Sequence, residues 1–321
     1  MSFLASLREA SGPSVAVELA GHRVSAASLE WRGGRPVVAA HAIEPLPPGA
    51  LVPSLTADNV HDRAAVAAAL GRVFDRLGGH PRRIGLVVPD LVAKVSLVRF
   101  EKVPPGAQDL EQLVRWQVRK TAPFPIEEAQ VSYVPALRAE DGQDFLVSLA
   151  RRHVIEEYEQ VCADAGAHAG IVDLATFDVI NAVLAGGAAP TADWLLVNVA
   201  ADSASIAIVR GEHLIFFRNR AADTDGTLAD LVHQTAMYYE DRLKGGGFAR
   251  ILLAGGGHPA AEVDQVRRSL EERLTTPVEM VDPRTAAALT DRIIAAPALL
   301  DTLAPLVGML LRERAAEVIR A

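Results

Sequence analysis

Apolar residues gather in short blocks along most of the chain, and two of these blocks share one pattern. At 194–210, WLLVNVAADSASIAIVR, Trp194 to Val197 lead into a small polar turn at Ala200, Asp202 and Ser203. Ala204, Ile206 and Ile208 then alternate out of it. This is the signature of a buried strand, a tight turn and a second strand, with a further strand after Gly211. Shifting the sequence by 180 positions lays 14–30, SVAVELAGHRVSAASLE, on the same pattern: Glu18 falls on Asn198, Ala20 on Ala200, Ser25 on Ser205 and Leu29 on Val209. Two such hairpins imply two related halves, and hence a two-lobed α/β protein with a ligand cleft between the lobes.

The intervening pattern is consistent with this. A strand at 37–43 and a proline-rich loop (Pro45, Pro47, Pro48, Pro53) precede a helix at 64–77. Val66, Leu70, Val73 and Leu77 share one face of that helix, Asp62 is placed to cap its start, and Gly78 and Gly79 end it. A strand at 84–88 follows. The character then changes: strands at 94–100, 129–134 and 145–149 with helices at 109–120 and 153–165 read as a small α/β insertion. The helix at 109–120 stops ahead of Pro123, which restricts the residue before it. The first lobe resumes at 171–184, and the GGAAP loop at 186–190 reads as a linker. Beyond the second hairpin come helices at 228–243 and 263–274, strands at 250–254 and 277–281, and a last helix at 299–314. The division expected is a first lobe at 12–92 and 169–188, an insertion at 93–168 and a second lobe at 190–321.

Composition narrows the function. With 321 residues, 50% of them hydrophobic and 22% charged, the chain has room for two domains and a substantial core. A net charge of −8 argues against a general nucleic-acid binder, which needs a basic face. The single cysteine, Cys162, lies within a helical pattern and reads as a buried thiol rather than a reactive one. No apolar run approaches the roughly 20 residues of a membrane span. The first residues, MSFLASLREASG, lack the features of a signal peptide, so a cytoplasmic protein is expected. Phe3, Leu4 and Leu7 are expected to pack against the body. The nine histidines are scattered without H-E-x-x-H spacing, and there is no G-x-S-x-G. Neither a metal site nor a catalytic residue is expected.

The order of these motifs resembles the PilM family, the actin-like cytoplasmic components of type IV pilus machines and relatives of the division protein FtsA. The segment 113–133, LVRWQVRKTAPFPIEEAQVSY, with Trp116, Pro123, Phe124, Pro125, Ile126 and Tyr133, is similar to the helix and PFP turn of that family's extra subdomain. Both hairpins, LAGGG at 253–257, Val281-Asp282-Pro283 and LAPLVGMLL at 303–311 follow in the family's order. The resemblance implies an actin-like (ribonuclease H-like) two-lobed fold with the FtsA/PilM-type extra subdomain. It also implies an ATP site built from both hairpins and the Gly turn: Glu18, Gly21, Asn198, Ser203, Ser205, Gly255, Gly256 and Gly257.

Several positions depart from that site. Ala20 and Ala200 stand where glycines let the backbone approach phosphate, Asn198 replaces a magnesium-organising acid, and Ser25 stands where a lysine is common. Only AADTDGT separates Arg220 from Leu228, so the small lid subdomain of the second lobe is largely missing. The expected protein is therefore not an enzyme but a pseudo-ATPase scaffold with no required cofactor. It would bind the N-terminal tail of a PilN-like inner-membrane partner and other pilus-assembly proteins at the inner face of the membrane. Arg115, Trp116, Arg119 and Phe124 are the candidate partner contacts. The alternatives are an ATP/Mg-binding actin-like ATPase whose nucleotide state regulates assembly or polymerisation, and a related secretion machine instead of a pilus.

Overall fold

The computed structural model describes residues 12–187, 192–222, 226–255 and 260–318. The first hairpin forms β1 (Val15–Ala20) and β2 (Arg23–Arg32), followed by β3 (Arg35–Pro45), helix α1 (Arg63–Leu77) and β4 (Arg83–Val88). Asp62 caps α1 by accepting from the Ala65 N–H, and Gly78 ends it in the left-handed region at φ 85°, as the sequence predicts. A short helical turn, Asp90–Val92, leads into β5 (Ala93–Phe100). Helix α2 (Ala107–Arg119), β6 (Ala129–Ala139), β7 (Gly142–Arg151) and helix α3 (Arg152–Asp164) come next. The 171–184 segment divides into β8 (His168–Leu174) and α4 (Ala175–Ala185). The second half comprises β9 (Trp194–Val199), β10 (Ser203–Arg210), β11 (His213–Ala221), α5 (Leu228–Leu243), β12 (Arg250–Ala254), α6 (Ala260–Leu274), β13 (Glu279–Met280), β14 (Ala288–Leu289) and α7 (Pro297–Val318). The amphipathic turn expected at Phe3, Leu4 and Leu7 lies outside the described residues, as do positions 188–190 of the expected linker.

Three sheets result. The first runs β14-β3-β2-β1-β4-β8, the second β11-β10-β9-β12-β13, and the insertion's own sheet β5-β7-β6. The strand β14, absent from the sequence reading, comes from the second half yet adds in parallel to β3 at the edge of the first sheet. Only two residues long, it leaves no periodicity to read.

Helices cover both faces of each large sheet, which is why the central strands read as nearly continuous apolar runs. On one face of the first sheet, Val17, Leu19, Val24 and Ala26 meet Val66, Leu70 and Phe74 of α1 and Val154, Tyr158 and Cys162 of α3. The thiol of Cys162 is buried, and burial pushes it up to about 12. Thus α3, assigned by sequence to the insertion, contributes its apolar face to the first lobe. On the opposite face, Ala16, Ala27, Val38 and Val87 meet Leu303, Leu306, Val307 and Met309 of α7. The second sheet packs Trp194, Leu196, Ala207 and Val209 against Val179, Ile180 and Leu184 of α4. Its far face packs against α5 and α6 through Val232, Tyr239 and Leu270. Helices α4 and α7 thus lie between the two large sheets, with Ala182 of α4 also in the core of the first and Ala304 of α7 in that of the second.

Where α4 and α7 cross, the two backbones touch. A β-carbon built on Gly308 would lie 1.6 Å from the carbonyl oxygen of Asp178, so only glycine fits. The Asp178 side chain beside the crossing is fully buried and accepts from Asn181 Nδ2 at 3.2 Å. Burial, reinforced by the neighbouring Asp173, pushes its carboxyl well above the usual range. No helix among the described residues is long and apolar enough to cross a membrane.

Gly308→Ala should lower unfolding stability by about 3 kcal/mol, because the side chain can be accommodated only by separating two packed helices. Gly71→Ala, in α1 with open space around the position, should instead raise it by up to about 1 kcal/mol. Urea midpoints of the two variants compared with wild type would check both signs.

Candidate functional site

The turns of the two hairpins meet between the lobes. A β-carbon built on Gly21 would lie 3.3 Å from the Leu51 carbonyl oxygen, 3.4 Å from Asp202 Oδ2 and 3.5 Å from the Pro53 ring. An acidic side chain of the second hairpin therefore rests against the turn of the first. Ser203 Oγ donates to the same carboxylate at 3.2 Å.

Behind this junction the residues named from the sequence fall into two separate networks. Glu18 Oε2 accepts from Arg23 Nη2 at 2.9 Å and from Ser25 Oγ at 2.8 Å, with all three side chains buried. The antiparallel register sets this up: Glu18 pairs with Ser25 and Ala20 with Arg23. Arg23 also lies in the field of Asp301 on α7, which accepts the Gly255 N–H. The first residue of the Gly turn is thus capped by the chain's own carboxylate. Burial pushes Asp301 up to about 6, against the Gly255 hydrogen bond and the Arg23 charge. Gly256 and Gly257 lie outside the described residues.

The second network centres on Asp90, a residue the sequence reading passed over. Its carboxylate accepts from the Thr176 N–H at 3.1 Å, from the Thr176 hydroxyl and from Ser205 Oγ at 2.7 Å. Asn198 Nδ2 donates to Thr176 Oγ1 at 2.9 Å. Asp90 is wholly buried, and that burial raises its carboxyl above the usual range despite these three donors. So Ser205 and Asn198, expected to face phosphate or magnesium, join the first turn of α4 to the second lobe. A signal for Asp90 was available: it is an acid just past the carboxyl end of a buried parallel strand, where open α/β sheets place their ligand groups.

The candidate partner contacts lie elsewhere. Arg115 donates from Nε to Glu111 at 3.2 Å, and from Nη1 to the Ile126 carbonyl at 3.4 Å. Trp116 is exposed with Lys120 Nζ 4.7 Å from its ring centroid, Arg119 is exposed, and Phe124 packs on the insertion's core. These residues belong to α2 and its following turn, on the sheet face where Phe145, Val147 and Leu149 are buried. The opposite face of that sheet, with Gln130, Ser132, Ser148 and Ala150, borders a groove of about 440 Å³ shared with the first lobe. Its other walls come from α3 (Ile155, Glu159) and from β8, the edge strand of the first sheet. Gly170 in β8 lies at a bulge in the pairing with β4 and opens onto this groove.

The model of the type IV pilus assembly protein PilM family matches residues 16–241. The chain belongs to that family. Among solved structures, a PilM-PilN type IV pilus biogenesis complex superposes with a TM-score of 0.80 at 18% identity, covering 94% of this chain and 98% of that one. A Bacteroides thetaiotaomicron protein with an actin-like ATPase fold and unknown function gives a TM-score of 0.50 at 11% identity, covering 95% and 98%. At these identities the likeness speaks for the fold: an actin-like pair of lobes with the family's extra α/β subdomain.

The position of Asp301 predicts a pH effect. An unfolded aspartate titrates near 3.8, so between about pH 4 and 6 the folded chain keeps a proton that the unfolded chain has released. This contribution to stability is complete below the lower value and is lost as pH rises through about 6. Asp301→Asn keeps an acceptor for Gly255 and removes the titration. Its stability relative to wild type should therefore rise from pH 4 to 7, by a few kcal/mol at most. Chemical denaturation at a series of pH values would measure it.

Proposed function

We propose that this chain is a non-enzymatic adaptor of a type IV pilus or related secretion machine, holding the N-terminal tail of a PilN-like inner-membrane protein. Its nucleotide cleft is a structural remnant in this reading. The observation that carries it is the occupation of the cleft's polar groups by one another: Glu18 by Arg23 and Ser25, Asp90 by Thr176 and Ser205, and the Gly255 N–H by Asp301. ATP with magnesium does not fit this arrangement. A triphosphate between the hairpins would face the Asp202 carboxylate and the β-carbons of Ala20 and Ala200. Any magnesium-organising acid would first have to release its own donors.

The groove between β8 and the insertion supports the adaptor half of the proposal. It combines an edge strand, which offers backbone hydrogen bonds to an extended peptide, with a shaped wall of short side chains. One of the solved structures similar to this chain is a PilM-PilN type IV pilus biogenesis complex. A partner tail in this groove would keep the chain at the cytoplasmic face of the membrane, available to other assembly proteins.

Titration calorimetry with Mg-ATP should show no binding tighter than millimolar. A synthetic N-terminal tail of a PilN-like inner-membrane protein from the same cell should bind with micromolar affinity. Ser132→Trp, at an exposed position on the groove wall, should weaken the peptide at least about tenfold, whereas Trp116→Ala on the opposite side of the sheet should leave it unchanged. Micromolar Mg-ATP binding would overturn the nucleotide half, and an unaffected Ser132→Trp variant would overturn the docking site.

A further inference from the structure

Helix α3 carries His153 in its first turn and Glu157 one turn later, so both project from the same side of the helix. The loop between β3 and α1 brings Asp58 to them. One ligand atom from each of the three residues lies within 4.8 Å of the others, and His153 Nε2 is 3.4 Å from Asp58 Oδ1. We propose that Asp58, His153 and Glu157 form a binding site for a divalent transition-metal ion, with zinc as the best match.

Three observations converge on this. First, an imidazole and a carboxylate four residues apart on a helix, with a third ligand from a neighbouring loop, is a spacing that a zinc ion spans with water completing its shell. Donors around zinc stand about 3.3 Å apart, so closure needs side-chain movements of about 1 Å. Second, Glu157 is already oriented: its Oε2 accepts the Asn59 N–H at 2.7 Å, leaving the other oxygen for a metal. Third, no lysine or arginine competes for these two acids among the described residues. Nearby acids are paired with arginines, Asp164 with Arg63 and Glu128 with Arg151, whereas among the described residues neither Asp58 nor Glu157 pairs with a lysine or arginine. Both carboxylates are thus left available to a divalent cation.

The site would also have a mechanical consequence. Asn59, next to Asp58, accepts at Oδ1 from the Ser54 N–H at 2.9 Å and from the Tyr158 hydroxyl at 3.1 Å. Pro53 of the same loop rests against Gly21 of the first hairpin. A metal joining Asp58 to α3 would therefore fix the loop that braces the hairpin turn. The sequence hides the site because Asp58 is 95 residues from His153 and no compact ligand motif exists.

Titration calorimetry of the metal-free full chain with zinc chloride should show one ion bound per chain with micromolar affinity, and zinc should raise the melting temperature. His153→Ala and Asp58→Asn should each weaken binding by about tenfold or more and abolish the thermal shift. Both positions are exposed, and circular dichroism with the metal-free melting temperature will establish that the variants fold as wild type does. Magnesium and calcium, which favour oxygen ligands, should not displace the zinc. The proposal is overturned if zinc binds no better than millimolar, if it binds equally well to both variants, or if calcium displaces it at similar concentration.

Discussion

The crossing of α4 and α7 at Gly308 is the constraint on which the two-lobed arrangement rests. The contact is backbone to backbone, with the Asp178 carbonyl where a β-carbon would otherwise stand. Because α4 and α7 lie between the two large sheets, the crossing fixes both lobes to one another through the apolar faces they share. The strand β14, just before α7, extends the first sheet with chain from the second half, so the halves are interleaved rather than merely adjacent. Separating this interface would expose apolar surface and free buried polar groups together.

The polar interior of the cleft follows from the same geometry. Once the lobes are held together, Asp90 at the end of β4, the start of α4 and the inner face of β10 face each other in a volume that excludes water. Each polar group there must find a partner. Ser205 and Asn198 find theirs in Asp90 and Thr176, while Glu18 finds Arg23 and Ser25 across its own hairpin. The polar side chains of the second hairpin thus join the lobes, while those of the first are satisfied within their own hairpin. Hairpin geometry comes from strand pairing, whereas ligand chemistry depends on a few side chains that face inward.

The insertion supplies a different kind of surface. One face of its sheet is spent on α2 and a small aromatic core of Phe100, Tyr133 and Phe145. At one end, the other face leans on the second lobe, where Leu146 joins Phe177 and Phe217. At the other end it stands open opposite β8. The groove thus lies between the insertion and the first lobe, with walls set by packed strands and a helix rather than by loops.

Much of this was legible in the chain itself. The repeated hairpin at 14–30 and 194–210, the cap and glycine stop of α1, the change of character at residue 93 and the ordered family motifs were enough for the fold class and its two related halves, because each depends on local periodicity or turn chemistry. The Ala20, Ala200 and Asn198 replacements were equally readable as substitutions in a known pattern. What the substitutions leave behind was decided only in three dimensions. That Asp301 caps Gly255, that Asp202 rests on Gly21 and that Asp90 ties the lobes together are meetings of residues distant in sequence. The same holds for the exclusion of Arg115, Trp116 and Arg119 from the groove: sequence spacing places them on one helix face but cannot say which face of the adjoining sheet that helix covers. Local pattern fixes the elements and their apolar sides, while the identity of a site depends on which sides meet, and that is set by long-range packing.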